Sequence, residues 1–188
     1  MTYKFTIISE EVAGFVRDIQ IDSESTFLEL HNSIFKSIGY TQVTNAAFLI
    51  CDKYWDPEEE VYLKEIDNNP EFDTWLMEDT SLDHFLEEER QRLIHMFDLE
   101  NQRGFHIELT EIIPGASLDK PQCTRSKGDA PQQKLTEEEI IALESNVDLD
   151  EDFYGSVDFD LDDLLSFEGR EEDEQEQEQE QEQEQVKE

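Results

Sequence analysis

The chain has 188 residues, of which 50 are acidic and 14 basic, for a formal charge of −36. This length accommodates one domain of ordinary size plus a tail. The charge repels phosphate backbones and anionic lipid alike, so neither direct nucleic-acid binding nor membrane binding is expected.

The first stretch, "YKFTIIS", sets Tyr3, Phe5 and Ile7 at alternate positions, and "FVRDIQID" repeats the pattern with Phe15, Ile19 and Ile21. Separated by "EEVAG", the two read as a hairpin with one buried face. In "STFLELHNSIFKSIGY", Phe27, Leu30, Ile34 and Ile38 recur at helical spacing. Thr26 and Glu29 match a capping box, and Gly39 supplies a left-handed stop. "AAFLICD" reads as a short, largely buried strand, Asp56 and Pro57 as a turn, and "VYLKEI" as a further strand. Residues 67–79 look irregular and acidic, and a short helix is expected over 81–89 with Leu82, Phe85 and Leu86 facing inward.

"RLIHMFD" and "GFHIELTEII" form a second hairpin, with Phe97 opposite Phe105, His95 opposite Ile107 and Leu93 opposite Leu109. The order ββαβ(β)αββ points to an α+β fold, a mostly antiparallel sheet with helices packed on one face. Residues 114–133, "PGASLDKPQCTRSKGDAPQQ", read as an extended loop or linker. Thr136 and Glu139 then match another capping box, opening a helix of two to three turns with Ile140, Ile141 and Leu143 on its apolar side.

Charge marks the remaining boundary. Residues 135–188 hold 23 acids and two bases, net −21, against 27 acids and 12 bases, net −15, for residues 1–134. The expected organisation is a domain over 1–133, an acidic amphipathic segment with short helices over 134–169, and an EQ-rich low-complexity tail over 170–188. The EQ run has no apolar residue to offset the ~1–2 kcal/mol per residue that ordering a backbone costs, so disorder is expected there.

Asp148, Asp150 and Asp152 alternate like the start of a calcium loop, but Phe153 and Phe159 stand where an EF-hand needs its glycine and its bidentate glutamate. His31, His84, His95 and His106 form no HExxH; His95 and His106 fall on opposite faces of their hairpin and read as structural. Cys51 and Cys123 are 72 positions apart with no CxxC, so neither a disulfide framework nor a thiolate metal site is expected, and the usage fits a reducing cytoplasm. Cys51 itself reads as a small buried hydrophobe. Glu108 and Glu111 read as a solvated strand face. There is no GxSxG, GxxxxGK[ST] or GxGxxG. No cofactor and no catalytic group is expected, and no segment reads as a signal peptide or a membrane span.

"TFLELHNSIFKSIGY", followed by "AAFLICDKYW", resembles the plasmid ORF-three-like family, first noticed on an agrobacterial Ri plasmid. The resemblance covers roughly residues 1–133 and continues through the second hairpin and "LDKPQCTRSKGDAPQQ". Where the family carries a Tyr-Asp-Phe-Gly-Asp turn followed by Trp and His, this chain has "FDLENQRGFHIEL", with Glu100 in place of the turn glycine and Phe105 near the tryptophan's place. The resemblance implies a compact α+β domain of unsettled biochemical role, loosely associated with mobile elements.

The functional expectation rests on "SVDFDLDDLLSFEG", residues 156–169, where acids interleave with apolar side chains as in segments that order on docking. Phe159, Leu161, Leu164, Leu165 and Phe167 are the expected protein-contact residues. The reading is a non-catalytic interaction module in the cytoplasm whose acidic segment meets a basic or grooved protein partner. The alternatives are a nucleic-acid mimic occupying a basic DNA-binding protein, or an enzyme of unknown reaction.

Overall fold

The computed structural model describes residues 1–64, 75–136 and 138–139. Alternating apolar residues build most of what is seen. β1 (Thr2–Ile8) and β2 (Val16–Asp22) pair as an antiparallel hairpin, with Tyr3 opposite Ile21 and Phe5 opposite Ile19. α1 (Phe27–Ile38) starts at the expected capping box: Thr26 accepts from the Glu29 amide, the Glu29 carboxylate accepts from the Thr26 amide, and Gly39 closes the helix at φ 74°. Its buried stripe of Phe27, Leu30, His31, Ile34 and Phe35 lies on one face of the sheet.

β3 (Ala47–Cys51), β4 (Pro57–Tyr62) and the two-residue β5 (Trp75–Leu76) follow, then β6 (Arg92–Asp98), β7 (Arg103–Ile113) and β8 (Gln122–Lys127). The eight strands among the described residues join one sheet in the order β5-β4-β3-β6-β7-β1-β2-β8, antiparallel except for the β4–β5 pair. Tyr3, Phe5, Ile19, Phe48, Phe105 and Ile107 carry the sheet's contribution to the core on the face that α1 covers.

This is a mainly β architecture, which corrects the expected α+β class with its layer of helices. The helix expected over 81–89 is a single 3-10 turn, Leu82–His84. Its backbone is held elsewhere: Leu82 N–H donates to Ser25 O and Asp83 N–H to Ser23 O, bonds to a distant loop that a regular helix would not make. Among the described residues α1 is therefore the one helix laid on the sheet, although Glu138 and Glu139 are helical behind the Thr136–Glu139 capping box.

Two further expectations changed. In the second hairpin His95, not Phe97, stands opposite Phe105, and Leu93 stands opposite Ile107, a slip of two residues taken up by an irregularity between Met96 and Asp98. A slip of two preserves the faces because side chains alternate with period two, so the same residues stay inside. The segment read as a linker instead contributes β8 and is clamped down. Buried Arg17 donates to Lys127 O and Gly128 O, and buried Arg103 donates to Gln132 O and Gln133 O. Tyr40 Oη donates to Pro131 O at 2.6 Å, and burial pushes that phenol up to about 12. Gly128, at φ 69°, passes so close to Gly14 that a Cβ there would lie 2.5 Å from the Gly14 carbonyl oxygen.

The chain divides into two units, Met1–Glu144 and Ser145–Glu188. The second lies outside the described residues, and with it Phe159, Leu161, Leu164, Leu165 and Phe167, the calcium-like aspartates and the EQ run.

Candidate functional site

β6 and β7 pass through the middle of the sheet, and the alternation that buries Leu93, His95, Phe105 and Ile107 turns Arg92, Ile94, Met96, His106 and Glu108 to the outer face, away from α1. Direct cross-strand partners line up there in rows. One row runs Glu60, Leu49, Ile94, His106, Ile8 and Val16. The next toward one end is polar: Arg92 stands opposite both Cys51 and Glu108, Glu108 opposite Thr6, and Thr6 opposite Asp18. Arg92 Nε lies 3.8 Å from Glu108 Oε2, and Thr6 Oγ1 donates to Asp18 Oδ1 at 3.0 Å. Glu108 is 7% exposed, so the expectation of a solvated acid on this strand is corrected: its charge is matched by Arg92 inside the sheet's own surface.

The β3–β4 loop, residues 52–56, brings an aromatic side chain over this row. Asp52 Oδ1 accepts from the Tyr54 and Asp56 amides, and Asp52 and Asp56 close the loop through a backbone bond of 2.9 Å. That geometry puts Trp55 at φ 69°. A bulky side chain in the left-handed region costs on the order of 1–3 kcal/mol, which the surrounding contacts must hold in place. Trp55 has the Arg92 guanidinium 5.0 Å from its ring centroid and the His106 ring 4.6 Å away, edge to face. His106 Nε2 lies 3.4 Å from Glu10 Oε1; burial lowers the imidazole's pKa and Glu10 opposes the shift. Beside this group Tyr54 stands 70% exposed, with the Lys53 ammonium over its ring at 4.7 Å.

His31 and His95 sit on the inner side, whereas His84 is exposed beside Trp75 and Phe85. His31 Nδ1 and His95 Nε2 lie 2.8 Å apart, joining α1 to β6 in the core, and both residues are fully buried. His95 also stacks on Phe48 at 4.4 Å. Burial lowers the pKa of His31 to about 4 and that of His95 well below its ordinary value, so both rings are neutral at pH 7. His31 Nε2 and His95 Nδ1 make no hydrogen bond, while Gln42 lies near enough to His31 to oppose its shift. One tautomer, with His95 Nε2–H donating to His31, leaves the His31 Nε2–H on the Gln42 side and only a bare lone pair in the core. The expected separation of His95 and His106 onto opposite faces holds; the pairing of His95 with His31, 64 residues away, has no signature in the spacing.

Among the described residues no cluster of three or more His, Cys, Asp or Glu side chains is arranged to hold a metal ion. No described helix is long and apolar enough to cross a membrane. Residues 3–140 match the model of the plasmid pRiA4b ORF-3-like protein family.

The chain belongs to this family.

Family membership therefore extends through the outer face, the core histidines and the clamped segment. A protein of unknown function from Methanosarcina mazei Go1, MM3350, has a similar fold, with a TM-score of 0.51 at 14% identity over 66% of this chain and 68% of that one. Nothing among the curated proteins matches. Where this chain departs from the family's turn motif, the β6–β7 turn is held by Asp98, whose carboxylate accepts from the Asn101 amide and side chain, and Gln102 takes the left-handed position at φ 54°. Glu100 thus needs no glycine's freedom, and Phe105 is buried in the core.

Of the outer-face group, Trp55 and Arg92 were missed by the sequence reading. The signals were present: Asp52 and Asp56 bracket "KYW", and Arg92 has the parity opposite to Leu93.

Proposed function

We propose that this chain is a non-catalytic protein-interaction module of the cytoplasm. The observation that carries the reading is the β3–β4 loop, which holds Trp55 at a costly positive φ over Arg92 on the outer sheet face and leaves the neighbouring Tyr54 exposed. Tyr, Trp and Arg are the residue types most enriched at interface anchors, because they offer large contact area at little rotamer entropy. The polar groups beneath them are buried or half-buried and matched to one another, Arg92 with Glu108 and Thr6 with Asp18, which leaves Tyr54 as the exposed member of the group.

The acidic segment 156–169 supplies the second contact in this proposal, with Phe159, Leu161, Leu164, Leu165 and Phe167 meeting a basic or grooved partner. Capture of partners by the full chain, compared with Leu161→Asp/Leu164→Asp/Leu165→Asp and with Tyr54→Ala, tests it. Retention of a partner at 0.5 M salt that is lost in either variant is the expected result. Failure to retain any partner, or equal retention by all three proteins, overturns the proposal; retention that collapses with salt alone favours electrostatic mimicry instead.

A further inference from the structure

Leu49, Ile94 and Met96 are half-buried on the outer face and belong neither to the core cluster nor to the apolar residues packed against it. They meet around Gly104. Met96 stands opposite Ala47 and Gly104, and Ile94 opposite Leu49 and His106. A Cβ at position 104 would lie 3.0 Å from both Ile94 Cγ2 and Met96 Sδ, so these two side chains lie flat over the glycine and form an apolar shelf. The shelf crosses β3, β6 and β7, roughly 10 Å at the ~4.8 Å spacing of strands, which is the width of one α-helix with its side chains. Methionine adds a side chain that adapts to differently shaped apolar partners.

The rim is acidic. Glu60 continues the Leu49–Ile94 row at one side, Glu10 is 61% exposed beside His106, and Asp52 and Asp56 frame the loop that carries Trp55. The domain behind them is acidic as well, with 27 acids against 12 bases over residues 1–134.

We infer that this shelf docks a basic amphipathic helix of a partner protein, its apolar stripe on Leu49, Ile94 and Met96 and its lysines or arginines on the surrounding acids. The inference rests on the protein-binding reading above and names the surface and the chemistry of the partner. Helix-in-groove recognition needs an apolar seat about one helix wide and rim charges opposite to the ligand's, and both are present here. The acidic rim disfavours phosphate-bearing and anionic-lipid ligands at the same place.

The test uses the full chain with a 14-residue Leu/Lys amphipathic peptide and its Leu/Glu counterpart, followed by calorimetry and by amide shifts in β3 and β6. The expected result is binding of the Leu/Lys peptide only, weakened at least tenfold by Leu49→Asn/Met96→Asn and several-fold by Glu10→Lys. Glu10 is exposed, so its variant reports on docking even if the shelf variant folds poorly. Equal binding by wild type and both variants, with shifts outside β3 and β6, overturns the inference. If binding is then lost in Leu161→Asp/Leu164→Asp/Leu165→Asp, the protein-binding reading stands without the shelf; if no variant alters it, both fail. Binding of the Leu/Glu peptide with equal affinity also refutes the shelf's charge selectivity.

Discussion

Lowering the pH from 7 to 4.5 protonates the histidines of the unfolded chain, while the buried pair that ties α1 to β6 resists the proton. Both His31 and His95 have folded-state pKa values below the unfolded one, so the unfolded chain binds protons first and stability falls as pH falls. The stability is fully present above the ordinary imidazole value of 6.5 and is lost progressively below it. For His31, 6.5 against about 4 corresponds to roughly 3 kcal/mol at 1.36 kcal/mol per unit, approached near pH 4. His95 titrates in the same direction, so the slope rises from about 1.4 toward about 2.7 kcal/mol per pH unit when both rings take part. Other titrations accompany this pair. Asp22, held low first by the Glu24 amide, loses its contribution only as the pH falls below 3.8, outside this window. Relief of repulsion in so acidic a chain stabilises it as carboxylates protonate, and His106 also titrates here. A comparison with His31→Leu/His95→Leu cancels both, since the replacement removes both partners of the hydrogen bond together and leaves no unpaired nitrogen. The assay is urea unfolding at half-unit steps between pH 7.5 and 4.5, read by far-ultraviolet circular dichroism. The difference in stability between wild type and the double variant should shift by at least about 2 kcal/mol across that range. A difference that stays constant with pH would refute the assignment of a titrating core pair.

Three other outcomes are expected. Thr26→Ala removes one half of the capping box at α1 and should lower stability by about 1 kcal/mol, measured by thermal unfolding, with Thr26→Ser recovering most of it. Gly128→Ala places a Cβ against the Gly14 carbonyl at a positive φ and should cost on the order of 1–3 kcal/mol, with faster amide exchange in β8 if that strand is released. Arg103→Lys keeps the charge but not the two-pronged bond to Glu11, at 3.0 and 2.7 Å, nor the bonds to Gln132 and Gln133. It should destabilise by about 2 kcal/mol, and a limited-proteolysis comparison should show faster cleavage near residue 133; unchanged cleavage would mean the clamp does not hold that segment.

The local part of the fold was legible in the sequence. Alternation defined both hairpins and their buried faces, and the Thr26–Glu29 and Thr136–Glu139 boxes marked two helix starts, because caps and pleats depend on residues three or two positions apart. Where a segment's backbone partners lie far away, local reading failed. Leu82 and Asp83 spend their amides on Ser25 and Ser23, which turns an expected helix into a 3-10 turn and removes the layer of helices from the fold. Residues 122–127 carry no apolar pattern to announce a strand, and β8 forms because β2 offers an open edge and the Lys127 and Gly128 carbonyls at its end accept from Arg17. The candidate site follows the same division. The parity of β6 and β7 in the sequence already separates Arg92, Ile94, Met96 and His106 from the core, but only tertiary structure brings Trp55 back over Arg92 and sets His31 against His95. Pairings across 37 and 64 positions leave no periodic trace, since their partners are selected by how the strands order in the sheet.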